Sequence, residues 1–373
     1  MLFKDVIGQG DLKRSLINQV KRGKIPHAQL FNGQSGHGSL PLTIAFIQYL
    51  FCVDKKEHDS CGICPSCKKI QELQHPDLHF AFPMVQGISH VSNTHLEPWR
   101  EIIKDNPYFD LYSWIQKVDP KERKPIISVH ESKEIIKTLN LKSFEGGYKV
   151  MLIWQAEQMN RDCSNKLLKI LEEPQQKTLF ILISSSTDTI LPTILSRTNV
   201  FNVPRIENDD LSSFLCSEFN MSEEEASTSA SFSEGNLFIS IKNKLDTSSE
   251  NYFDYFVQLM RVCYKKDVLN MLDWASEVSS LSRESQKLFL KYCLHMFRQS
   301  LLYNYQEGES LKIAEKEREF LYNFAKFING NNIELFMNHF NKAYNSLDRT
   351  GPANSKILFT QLTFWVMRGI HQS

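Results

Sequence analysis

Cys52, Cys61, Cys64 and Cys67 follow the spacing C-x8-C-x2-C-x2-C. Two residues between cysteines let both thiolates turn onto one tetrahedral metal, and four such ligands close its coordination sphere. The chemistry this pattern suits is structural zinc, because no coordination position stays open for a substrate. An iron–sulfur cluster is the alternative for C-x2-C-x2-C, but the further cysteine that such motifs carry is replaced here by Gln71. His58 and His75 stand close enough to substitute as ligands. The remaining cysteines, Cys163, Cys216, Cys263 and Cys293, fall singly on apolar helical patterns and read as core thiols.

The stretch FNGQSGHGSL, Phe31–Leu40, is a second motif with chemistry in its spacing. A glycine-rich turn between a strand and a helix is the setting of a phosphate-binding loop. Gly33 and Gly38 have the separation of that loop's two defining glycines, with Gly36 between them. Ser39 then stands where the lysine belongs, and Leu40 where the magnesium-binding hydroxyl belongs. Without the cation that meets the β- and γ-phosphates and the hydroxyl that holds the metal, only backbone N–H groups are left. The acidic pair of an ATPase belongs at the end of a later strand, and KVMLIWQAEQM places Trp154 and Gln155 there. Neither is a carboxylate ligand for magnesium. Glu157, further on, reads as a solvated charge at a helix start. ATP is therefore not expected in this chain's own loop, which is read as degenerate and empty.

These motifs need a frame. Ala28–Asn32, Ile126–Val129, Lys149–Ile153, Leu179–Ser184 and Val200–Val203 are short apolar runs bounded by turn or polar residues, and read as strands. Leu40–Phe51, Glu131–Asn140 and Asp162–Glu172 read as helices between them, the last ending before Pro174. Alternation of this kind predicts a parallel α/β sheet covered on both faces. From about Glu207 the chain reads as all-helical. Asp209–Phe219, Ser222–Phe232 and Asn236–Leu245 form a first group, with Ser222 and Glu225 spaced as a capping box. Tyr252–Tyr264, Val268–Val278, Arg283–Tyr305, Glu315–Ile328 and Ser355–Gly369 form a second. The stripe Leu290, Leu294, Phe297 and Leu301 reads as core. Met84–Lys124, with Trp99, Tyr108, Phe109, Tyr112 and Trp114 among prolines, fits neither pattern and reads as an insertion folded onto its neighbour.

With 373 residues, two or three domains are expected. Lysine plus arginine and aspartate plus glutamate each number 43, so the formal charge is zero. That balance disfavours a protein that grips DNA through its own field and favours one working through other proteins. The sequence shows neither a membrane-length apolar run nor a secretory leader, so a cytoplasmic location is the expectation, with metal or free thiols rather than disulfides.

VIGQ near the start, PHAQLFNG before the glycine loop, the four cysteines, HPD at His75–Asp77, NKLLKILEEP (Asn165–Pro174) and LPTILSR together resemble the bacterial clamp-loader AAA+ subunits of DNA polymerase III. The resemblance covers roughly the first 245 residues apart from the Met84–Lys124 insertion. It implies a RecA-like AAA+ domain over 1–205 with a zinc module at 52–67 and the insertion at 84–124, a helical lid over 206–245, and a helical collar over 246–373. Ser39, Leu40, Trp154 and Gln155 resemble the non-hydrolysing delta-prime type rather than the gamma/tau motors. The lid's nucleotide-sensing arginine is absent too, because Gly235–Asn236 is followed by Leu237 and Phe238. Ser196–Arg197–Thr198 resembles the family's Ser-Arg-Cys motif, which implies that Arg197 acts in trans as an arginine finger beside a neighbour's ATP. The implied partners are gamma/tau and delta subunits, and, through the assembled complex, the sliding clamp and primed DNA. A self-sufficient ATPase motor and a stand-alone zinc nucleic-acid binder are the rival expectations.

Overall fold

The computed structural model describes residues 1–119, 121, 123–245, 252–306, 313, 315–348 and 354–371. The chain divides into two compact units, Met1–Phe214 with Glu234–Phe238, and Leu215–Ser233 with Ile239–Ser373.

The strands are β1 (Ala28–Asn32), β2 (Leu78–Ala81), β3 (Met84–Val85), β4 (Pro125–Ile126), β5 (Lys149–Trp154), β6 (Thr178–Ser184) and β7 (Asn199–Asn202). Five form one parallel sheet in the order β2-β5-β6-β1-β7, consistent with the RecA-like expectation. Its inner strands are apolar on both faces, as helices on both sides demand. Alternation sorts the residues: Phe31, Val150, Leu152, Trp154, Leu179, Ile181 and Ile183 belong to one core, and Leu30, Met151, Ile153, Phe180 and Leu182 to the other.

Helices α1 (Gly10–Lys21), α2 (Ser39–Phe51) and α3 (Pro65–Gln71) come first. The insertion supplies α4 (Leu96–Asp105) and α5 (Leu111–Val118), followed by α6 (Val129–Asn140), α7 (Arg161–Glu172) and α8 (Pro192–Leu195). The strand expected at Ile126–Val129 is not part of the sheet. Pro125–Ile126 pairs antiparallel with Met84–Val85 at the root of the insertion, and Ser128 already caps α6 by accepting from the His130 N–H at 3.2 Å. The sheet strand that the sequence hid is β2, only four residues long and broken in pattern by His79.

The second unit is helical throughout its described residues. Helices α9 (Asn208–Phe219) and α11 (Leu237–Leu245) run through the division between units, with α10 (Glu223–Ser233) between them. The capping box forms as expected: the Glu225 N–H donates to Ser222 Oγ at 3.3 Å, and the Ser222 N–H donates to Glu225 Oε2 at 3.0 Å. Then come α12 (Tyr252–Lys265), α13 (Val268–Ser279), α14 (Arg283–Gln306), α15 (Glu315–Phe324), α16 (Ile333–Asp348) and α17 (Ser355–His371). Leu290, Leu294 and Phe297 are buried, so the stripe of α14 is core within this unit; Leu301 is half-buried. No helix among the described residues is long and apolar enough to cross a membrane.

Candidate functional site

Helix α2 connects both motif clusters. Gly38 is its N-cap, and Cys52 is its C-cap. At the N-terminal end, Gly38 has φ +97° and Gly36 φ +86°, left-handed backbone that glycine adopts without strain. Gly36 is required for a second reason, since a Cβ there would lie 1.9 Å from Asn236 Oδ1. Asn236 Nδ2 donates to the Ser35 carbonyl at 2.6 Å, and the Leu237 N–H donates to the Gly36 carbonyl at 3.2 Å. A Cβ on Gly33 would meet the Val203 carbonyl at 2.7 Å. The loop keeps its shape through this packing.

The residues that stand where an ATPase loop carries its lysine, hydroxyl and carboxylates, Ser39, Leu40, Trp154 and Gln155, are all buried. Ser39 is buried, its hydroxyl without a hydrogen-bond partner, and Leu40 points into the core. Pro41, in the first turn of α2, brings no N–H to an anion cradle. At the end of β5 the Trp154 ring is buried between Trp99 and Phe109, with ring centroids 5.1 and 4.9 Å away. Gln155 takes a left-handed φ of 56°; its amide donates to Ser35 Oγ at 3.3 Å and accepts from Ser185 Oγ at 3.5 Å. The cavity bounded by Gly33–Pro41, Pro107–Phe109, Trp154 and Gln155 has a volume of about 20 Å3. That is room for a water.

Glu157 corrects the expectation of a solvated charge. It lies in a 3-10 turn after β5, where one carboxylate oxygen accepts from the Ser185 N–H at 2.9 Å and the other is buried without a partner. Burial pushes its carboxyl above the usual range.

At the other end of α2 the four cysteine sulfurs lie within 4.8 Å of one another. Cys61 Sγ and Cys67 Sγ are 3.9 Å apart, close to the roughly 3.8 Å edge of a tetrahedron with 2.3 Å metal–sulfur bonds. Backbone N–H groups of Cys61, Cys64 and Cys67 point at the sulfurs of Cys52, Cys61 and Cys64 at 3.2, 3.4 and 3.5 Å. Burial opposes ionisation of Cys64, but hydrogen bonds from Val53 and Cys67 outweigh it and hold this thiol down to about 6. Burial pushes the Cys67 thiol up. All four are free cysteines, and the donor set fits a closed tetrahedral metal.

The two histidines do not join. His58 lies beside Glu57, while buried His75 pairs with Glu145 Oε2 at 3.1 Å and packs at a tilt against Phe51, 4.2 Å between centroids. Asp77 accepts from the N–H groups of Phe144 and Glu145 at 2.7 and 2.9 Å, so HPD anchors the loop before β5. Of the single thiols, Cys163, Cys263 and Cys293 are buried as expected; Cys216 is half-buried.

Arg197 follows α8 at the end that leads into β7. It is about one-third exposed, with Nη2 2.5 Å from Glu172 Oε1 and Nη1 donating to the Thr193 carbonyl at 2.8 Å. Glu172, the partner that sequence reading missed, comes from the EE pair of NKLLKILEEP at the end of α7.

Fold and site define a parallel α/β protein with a glycine-rich turn between β1 and α2 and four cysteines placed so that they could hold a metal. Residues 8–207 match the DNA polymerase III, delta subunit family, and the chain belongs to this family of clamp-loader proteins. It is 28% identical over 189 residues to the DNA polymerase III subunit delta' of Bacillus subtilis, covering 51% of this chain and 45% of that one. It is 28% identical over 213 residues to the tau/gamma subunit of Haemophilus influenzae, covering 57% and 25%. The chain thus spans between a quarter and about half the length of these relatives. Among solved structures, a gamma subunit-related protein from Thermotoga maritima superposes with a TM-score of 0.40 at 12% identity, covering 96% of this chain and 99% of that one.

Proposed function

We propose that this chain is a non-hydrolysing, delta-prime-type subunit of a DNA polymerase III clamp loader. In this reading it works with gamma/tau and delta subunits to place the sliding clamp on primed DNA. The observation that carries the proposal is the phosphate loop, which holds neither lysine, metal-binding hydroxyl nor strand-end carboxylate and encloses only about 20 Å3. The second unit serves as the collar of the ring, and zinc held by Cys52, Cys61, Cys64 and Cys67 ties the chain after α2 to α3. With no nucleotide chemistry of its own, the chain completes a neighbour's site through Arg197.

A guanidinium beside a transferring phosphoryl group stabilises charge that develops in the transition state, an effect worth about 10³–10⁵ in rate in other NTPases. The partial exposure of Arg197 supports this role, because its pair with Glu172 is accessible enough to open.

The test is a loader reconstituted with gamma/tau and delta subunits. Arg197→Ala should cut DNA-stimulated ATP turnover by at least about tenfold and leave assembly intact. Unchanged turnover removes the finger. Steady hydrolysis by the purified chain alone, lost on altering Gly33 or Gly38, would make it a motor instead. Tight DNA binding by the lone chain with a steep salt slope would make it a free-standing binder.

A further inference from the structure

We infer that the Met84–Lys124 insertion is an internal plug, which shuts the phosphate loop with the chain's own aromatic side chains. The loop is then closed twice, once by missing chemistry and again by occupied space.

The insertion is rooted by the β3–β4 pair and by Glu131 of α6. Ser92 donates to the two Glu131 carboxylate oxygens, N–H and Oγ each at 2.6 Å. Trp99 of α4 and Trp114 of α5 are fully buried, and their rings lie 5.3 Å apart. Phe82 stacks on Trp99 at 4.3 Å, and the Trp114 indole N–H donates to the Pro83 carbonyl at 2.8 Å. Trp154 extends the same cluster. The residue replacing the magnesium carboxylate is thus part of the seat on which the insertion sits.

The link between α4 and α5 makes the closure. Asn106 Oδ1 accepts from the Tyr108 N–H at 3.0 Å and turns the chain, so that Pro107, Tyr108 and Phe109 form the wall facing Gly33–Pro41. The Tyr108 ring comes so near that a Cβ on Gly38 would lie 3.3 Å from it. Its hydroxyl accepts from the Ile7 N–H at 3.0 Å, joining the insertion to the segment before α1. Phe109 packs on Trp154. Admitting a nucleoside triphosphate would require unseating two buried aromatic side chains, each covering about 150–250 Å2, and breaking a buried hydrogen bond.

The plug predicts that restoring the loop's chemistry is not enough to restore binding. The full chain carrying Ser39→Lys and Leu40→Thr should show no saturable Mg·ATP binding by calorimetry. Adding Tyr108→Ala and Phe109→Ala to it should create binding at least about tenfold tighter. Equal binding with the plug intact, or none after its removal, overturns the inference. A second measurement avoids the buried lysine. In the otherwise unaltered chain, Tyr108→Ala/Phe109→Ala should speed hydrogen exchange at 33–39 by at least about tenfold while β5 and β6 exchange unchanged. Equal rates at 33–39 overturn it as well.

Discussion

The two ends of α2 differ in what each has kept. At Cys52 every group that a structural metal needs is present, with sulfurs converged and N–H groups aimed at them. At Gly38 the side chains expected of an ATPase loop are replaced by Ser39 and Leu40, yet the glycines and their close contacts persist. A motif's shape and its chemistry are therefore separable. The glycines hold the connection between β1 and α2 whether or not a ligand comes, whereas lysine, hydroxyl and carboxylates serve only the ligand. Were a metal held at the four cysteines, its ligands could not be removed without loosening the chain around them.

That contrast can be broken at either end. The largest effect is expected at the four cysteines, because metal binding in such modules is folding free energy on the order of 10 kcal/mol. The purified chain should hold about one zinc by elemental analysis, and Cys67→Ser should lose the metal and most of the cooperative melt. Metal near zero in protein purified without chelator sinks the assignment. Next is Trp154→Ala, which should cost about 3–5 kcal/mol in urea unfolding; a cost under about 1 kcal/mol would mean the ring is not what fills the carboxylate's place.

A third test probes the root of the insertion through pH. Burial raises the Glu131 carboxyl to about 7, while Ser92 works against the shift. A folded-state value above the unfolded one means the native chain binds the proton more tightly. Its contribution is then complete below about pH 4.5 and disappears as pH rises through 7, by at most about 3 kcal/mol. Glu131→Gln should flatten that slope of stability against pH, and an unaltered slope rules Glu131 out as its source. The smallest effect belongs to Asn236→Ala. Losing the hydrogen bond to Ser35 should cost about 1 kcal/mol and be read as a small shift in the urea midpoint, whereas no shift would mean the loop needs no support from this side.

Much of this was legible in the sequence, and the exceptions have physical reasons. Strands β1, β5 and β6 announce themselves because burial on both faces makes them unbroken apolar runs. The four-cysteine cluster and the glycine turn are local in sequence, so spacing alone exposes them. Strand β2 hides because LHFA is short and carries a histidine. Ile126–Val129 misleads because Ile126 and Ile127 lead into a serine cap and Val129 already opens α6. Helix α16 was missed although Phe336, Phe340, Ala343 and Leu347 are buried at helical spacing, a signal that polar residues between them obscured. Nothing near Glu157 or Glu172 reveals their partners, which come from Ser185 and Arg197 after a β-strand. The insertion's aromatic richness was visible, but its destination over the loop is tertiary and leaves no trace in periodicity.

Helix α14 has a consequence of its own. Phe289, Leu290 and Phe297 are buried on one side, and His295 and Gln299 on the side away from them, so this rod is covered on two opposite sides. The second unit should therefore melt as one body around it. Acid should weaken it: enclosure lowers the His295 imidazole to about 4, so below roughly pH 6.5 the open chain binds the proton more tightly and stability should fall.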